Sequence, residues 1–70
     1  MSTFLERLEE EERDLSEKVA KLEAFVDNNP AYENVGDVQF VLLPAQLNAM
    51  IAYLHILQYR IEDLVSNKKD

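Results

Sequence analysis

Apolar residues recur at spacings of four and three through the second half of the chain, at Leu43, Leu47, Met50, Leu54, Leu57, Ile61 and Leu64. Such a rhythm is the seam of an α-helix packed lengthwise on another helix. A second stripe, Leu42, Ala49, Tyr53, Ile56 and Tyr59, runs beside it. One partner helix covers one stripe, so the second predicts an oligomer interface. His55, four residues from both Ile51 and Tyr59, reads as a flank of that stripe with a packing or hydrogen-bonding role. Pro44 lacks a backbone donor and interrupts the pattern. The reading is a lead-in helix over 38–43 and a second helix over about 44–66, kinked or separated at the proline.

In the first half, Leu8, Leu15, Val19, Leu22 and Val26 form one stripe, with Phe4 at its start and Phe25 beside its end. They predict a helix over about 3–28. Thr3 and Glu6 have the spacing of a capping box, in which hydroxyl and carboxylate each satisfy an orphan backbone N–H, and Ser2 is an equally good cap. Glu9 with Arg13, Asp14 with Lys18, and Glu17 with Lys21 stand four apart, acid before base, and mark the solvent face. The stripe has a hole at Glu11 and Glu12, where a simple hairpin would carry an apolar residue. Either the first two turns overhang the partner helix, or this stretch borders a polar site.

Asn28-Asn29-Pro30 stops the first helix, and residues 29–37 form a connector longer than the usual helix–helix turn, so Tyr32 is expected to dock on the helices. Asp37 reads as the N-cap of the next helix, and Lys68 and Lys69 suit the negative end of the second helix. The fold class is all-α. A single domain, 1–70, forms an antiparallel helical hairpin with a kinked second helix that assembles into a homo-oligomer.

Size strengthens the expectation of assembly, because 70 residues without a cysteine cover a core poorly and have no disulfide to compensate. A net charge of −7 disfavours DNA, RNA polymers and anionic membrane surfaces as partners. The acidic, polar N-terminus does not resemble a signal peptide, and the apolar run Phe40 to Leu43 is too short to span a bilayer. A cytoplasmic protein without a membrane partner is expected.

Catalysis finds little support, since Ser2, Ser16 and Ser66 lie at caps or on polar faces and His55 is the lone imidazole. No enzyme activity, cofactor or metal is expected. Glu9 to Glu12 point in four directions about 100° apart and do not converge on an ion. The basic residues stand out because they are few. Arg60 falls on the second stripe, either paired with a neighbouring chain's carboxylate or reserved for an anion, and Arg7 sits beside Phe4 and Leu8 with Glu11 as its alternative partner. Lys18 and Lys21 read as exposed ion-pair partners.

The succession Phe4-x-Glu6-Arg7, Leu15, Lys18, Lys21-Leu22 and Phe25-Val26, then Leu42-Leu43, Gln46, Ala49-Met50, Tyr53, Ile56-Leu57 and Arg60-Ile61, resembles the helical-hairpin family of phage anti-defence proteins. That family includes the anti-CBASS cyclic-oligonucleotide sponge and shares its hairpin with a Thoeris anti-defence sponge. The resemblance covers nearly the whole chain. It implies a homohexamer that binds cyclic dinucleotides between protomers, and in some members cyclic trinucleotides elsewhere, without cleaving them. It places the protein in the cytoplasm of the infected bacterial host. Phe4 would take the place of a base-stacking aromatic, Lys18 or Lys21 that of a phosphate-contacting lysine, and Arg60 that of an arginine at the trinucleotide site. With Arg7 these are the candidate ligand-binding residues. Two departures matter: Phe4 lacks the hydroxyl of the more common Tyr, worth about 1 kcal/mol, and Glu9 to Glu12 lie close to the phosphate contact. The rival readings are a non-catalytic helical-bundle adaptor whose surplus stripe binds another protein, and an acidic nucleic-acid mimic, which Arg13, Lys18 and Lys21 argue against.

Overall fold

The computed structural model describes residues 3–67. Ser2, the alternative cap, and Lys68 and Lys69 lie outside that range. Helix α1 spans Phe4–Asn28, a 3-10 helix spans Pro30–Asn34, and helix α2 spans Asp37–Asn67. The two long helices pack on each other as a hairpin.

The Thr3 capping box opens α1. Glu6 N donates to Thr3 Oγ1 at 3.0 Å, and Thr3 N donates to Glu6 Oε1 at 2.7 Å. At the other end Asn29 serves two elements. Its N–H donates to Phe25 O at 3.3 Å, closing α1, while its side-chain oxygen accepts from Ala31 N at 2.9 Å and opens the 3-10 turn. The connector is thus more ordered than the loop expected over 29–37. Gly36, at φ +94°, makes the left-handed turn that hands the chain to α2. Its carbonyl accepts from Phe40 N at 2.9 Å, so Asp37 is the first helical residue and not the expected cap.

Pro44 lies inside α2, which runs through it as a single helix with no separate lead-in over 38–43. The missing N–H would have bonded the carbonyl four residues back, that of Phe40. The Tyr32 hydroxyl donates to that carbonyl instead, at 2.5 Å. The Tyr32 ring stacks on Phe40 at 4.4 Å between centroids and meets Phe25 edge-on at 6.0 Å. Docking of the connector therefore supplies the donor that the proline removes. Tyr32→Phe should cost about 1 kcal/mol. In a Pro44→Ala background, where the helix regains its own donor, the same change should cost less than half as much. Urea unfolding of the four proteins measures that coupling, and equal penalties in both backgrounds would contradict it.

Leu8, Leu47, Leu54 and Leu57 form the buried core, with Leu57 fully enclosed, and Leu43, Met50, Ile61 and Leu64 of the seam are half-buried. The hole at Glu11 and Glu12 is filled from the partner helix. The Tyr53 hydroxyl donates to Glu11 Oε2, and Gln58 Nε2 donates to Glu12 Oε2 at 3.2 Å. With Leu8 buried and both carboxylates bonded to α2, the first turns of α1 do not overhang the partner helix. His55 is exposed and makes no hydrogen bond among the described residues, which leaves packing as the alternative for it. One turn before Tyr59 and about 40° from it round the helix, it stays on the flank of the second stripe. The residues of the three expected surface ion pairs of α1 are exposed but do not close to ion-pair distance. Solvated charges at such positions gain little from pairing.

The hairpin is a slender rod of 53 × 21 × 17 Å with a radius of gyration of 15.8 Å. A compact domain of this length would have roughly 11 Å. The back of α2, away from α1, carries exposed Val38, Val41, Leu42, Ile56 and Tyr59. No Asp, Glu, Lys or Arg occurs from Val38 to Tyr59, and by length and composition α2 is apolar enough to cross a membrane, with mean hydropathy 1.6 over its best window. Measuring uninterrupted runs, as at Phe40 to Leu43, misses this. In the folded hairpin, however, Glu11 and Glu12 are hydrogen-bonded to the middle of that helix, and hydrocarbon would have to accept both carboxylates.

Candidate ligand-binding site

Phe4, Arg7, Glu11, Asp14 and Lys18 follow one another at steps of three and four, which sets them along one flank of α1. On α2, Tyr53, Ile56 and Arg60 repeat the same steps. Antiparallel pairing brings Tyr53 opposite Glu11 and Arg60 opposite Phe4. The Arg60 guanidinium carbon stands 5.9 Å from the centroid of the Phe4 ring, a cation–π contact between the two ends of the chain.

Three shallow grooves follow this flank. The first is lined by Arg7, Glu10, Glu11, Asp14, Leu15, Lys18 and Tyr53. The second, toward the helix start, is lined by Phe4, Arg7, Leu8, Glu11 and Arg60. The third continues over α2 between Phe4, Arg60, Ile56, Tyr59, Asp63 and Leu64. Arg7 and Glu11 belong to the first two, and Phe4 and Arg60 to the last two. Of the candidate residues, Phe4, Arg7, Lys18 and Arg60 are thereby joined along one surface, whereas Lys21 lines none of these grooves.

Sequence reasoning divided Phe4 and Arg60 from Tyr53, Ile56 and Tyr59, giving the first pair to a ligand and the rest to an oligomer interface. The structure places these sets side by side. Phe4 is 57 % exposed and Ile56 53 %, so a second protomer seated on α2 would wall the grooves. Glu11 was legible as a gap in a stripe and as a pairing partner for Arg7, but not as a partner of Tyr53. Its partner is 42 residues away, and no local signal specifies that register.

This flank offers cations and rings to an anion with aromatic or apolar parts, set among the carboxylates Glu10, Glu11 and Asp14 of the first groove and Asp63 of the third. Arg7, Lys18 and Arg60 offer cations to phosphate oxygens, and none is in an ion pair among the described residues. Phe4 and Tyr53 offer ring faces. Among the described residues no three His, Cys, Asp or Glu side chains gather as a metal-ligand group.

Tyr53 reports on the local field. Its hydroxyl pKa is raised, first by the hydrogen bond to Glu11, then by partial loss of water and by the negative charge of Glu11, with Arg60 pulling weakly the other way. Because the folded value lies above the ordinary tyrosine value of about 10, this contact stabilises the fold fully below that pH. The contribution is lost as pH rises through the raised value. A 13C titration of Tyr53 should therefore show a midpoint above that of free tyrosine, moving down in Glu11→Gln. An unshifted midpoint in both proteins would contradict the contact.

Comparison with known families finds a match over residues 2–63 to the family model described as Sequestin. No curated protein and no solved structure matches the chain.

Proposed function

The chain belongs to the Sequestin family, and from that membership we propose that it is a non-catalytic sponge, binding a cyclic di- or trinucleotide signal and holding it uncleaved. The family's name points to sequestration; the nature of the cargo is our reading of the flank. The observation that carries it is the alignment of Arg7, Lys18 and Arg60 beside the Phe4 and Tyr53 rings, with all three cations outside ion pairs among the described residues. Phosphates joined to purines present both kinds of surface that such a flank meets, negative oxygens and flat rings.

The same reading makes the protein an anti-defence factor acting in the cytoplasm of an infected bacterium, where removing a cyclic signal keeps a host effector silent. Self-association through Leu42, Ala49, Tyr53, Ile56 and Tyr59, as a hexamer in the form the resemblance implies, would enclose the grooves between protomers. Bound water would then be displaced by bases, and cations from two chains would meet one ligand.

A thermal-shift screen against cyclic di- and trinucleotides, with light scattering on the same samples, tests this. A specific ligand at one hundred times its dissociation constant stabilises the protein by about 2.7 kcal/mol. The expected result is a raised melting temperature for at least one cyclic nucleotide, lost in Lys18→Ala or Arg60→Ala, with intact ligand recovered after heat denaturation. No shift across the panel would overturn the sponge reading. The exposed apolar back of α2 would then favour a helical-bundle adaptor that binds another protein.

A further inference from the structure

Glu11 is out of place. It lines both grooves that contain Arg7, and a carboxylate there competes with any anion for the same cations. Arg7 precedes it by four residues, one helical turn away, which is the ordinary distance for an intrahelical ion pair. Lys18 lies further along the same flank, and Arg60 approaches from α2. Yet among the described residues Glu11 closes an ion pair with none of them. Its Oε2 is instead taken by the Tyr53 hydroxyl from the opposite helix.

We propose that Tyr53 is a positioning residue, a latch whose hydroxyl holds the Glu11 carboxylate toward α2 and keeps Arg7, Lys18 and Arg60 available to an anionic ligand. The bond is charge-assisted, the stronger class of hydrogen bond, and it competes directly with the Arg7–Glu11 pair. A tyrosine on the partner helix suits the task because it restrains the carboxylate without adding a positive charge to compete for it. The inference rests on the sequestration reading only for the identity of the anion; the competition between Tyr53 and Arg7 for Glu11 is internal to the hairpin.

The test is a double-mutant cycle of Tyr53→Phe and Glu11→Gln, which retains the ring and the approximate side-chain volumes. Two probes are titrated by calorimetry, pyrophosphate and a cyclic dinucleotide, and the hydrogen exchange of the Arg7 side-chain N–H is followed by 15N NMR without ligand. Tyr53→Phe alone should weaken anion binding about three- to tenfold, the loss expected for one hydrogen bond's worth of restraint, and should slow Arg7 exchange as Glu11 swings over. In the Glu11→Gln background the same change should leave both readouts within twofold. A Tyr53 that acted only by packing or by contacting ligand would lose the same factor in both backgrounds, with Arg7 unchanged, and that result would overturn the latch. Coupling seen with pyrophosphate, but no binding of the cyclic dinucleotide, would keep the latch and remove that ligand class from the sequestration reading. Should neither probe bind, Arg7 exchange decides: slowed in Tyr53→Phe it supports the latch, unchanged it overturns it.

Discussion

Leu57→Ala should cost the hairpin about 3 kcal/mol, the largest loss expected from any single truncation in this chain. Among the described residues Leu57 is the one core side chain with no exposed surface, and it shares the core with only Leu8, Leu47 and Leu54. Truncation removes the transfer free energy of the lost methyl groups and leaves a space that two long helices fill poorly by shifting. A 70-residue protein has roughly 3.5–10 kcal/mol of stability in total, so the variant should be substantially unfolded under conditions where the wild type is not. Ile56→Ala, one residue earlier and 53 % exposed, is the matched control and should cost under about 1 kcal/mol in the isolated hairpin. Urea midpoints at one fixed, low protein concentration measure both, because self-association would add its own contribution. Equal losses at the two positions would mean that the packing of α1 on α2 is not the source of stability.

Ile56→Glu should separate assembly from folding. In the hairpin Ile56 lies on the exposed back of α2, with Tyr53, 41 % exposed, one turn before it and Leu42, 52 % exposed, further along the same face. A carboxylate there costs little while it faces water. Between protomers it must be desolvated once for every copy, and a pair with Arg60, four residues on, offsets only about 0.5 kcal/mol of the several that burying the charge costs. Affinity between chains should fall by more than about a hundredfold. Light scattering should then give the mass of a single 8.1 kDa chain, while far-UV circular dichroism stays helical. Ser16→Glu, on the exposed side of α1, should leave the mass unchanged. An unchanged mass for Ile56→Glu would remove this face from the assembly.

How much of this was legible in the sequence differs from residue to residue. The seam through Leu47, Leu54 and Leu57 was readable because a packed helix repeats its buried positions at three and four, whatever the partner. The capping box at Thr3 was readable for the same reason, since both of its bonds lie within four residues. Pro44 was readable as a local loss of a donor, but not as a continuous helix, because the replacement donor belongs to Tyr32, twelve residues away in the connector. The candidate site was visible only in part. Arg7 and Arg60 stood out as scarce basic residues, Phe4 and Lys18 took their ligand roles from a resemblance, and the shared surface that joins all four depends on the antiparallel register. Glu11 showed as an anomaly in a stripe, and its bond to Tyr53 could not be read locally because the partner lies on the other helix.

The bond from Tyr32 to the Phe40 carbonyl ties the opening turns of α2 to the connector and not to the leucine core. Those turns and the 3-10 segment should accordingly open together, as one cooperative unit of lower protection than the stretch around Leu54 and Leu57. Amide exchange would find a boundary within a helix that is unbroken in geometry. On one side of Pro44 the backbone follows the fate of a loop tyrosine, and on the other that of the global fold.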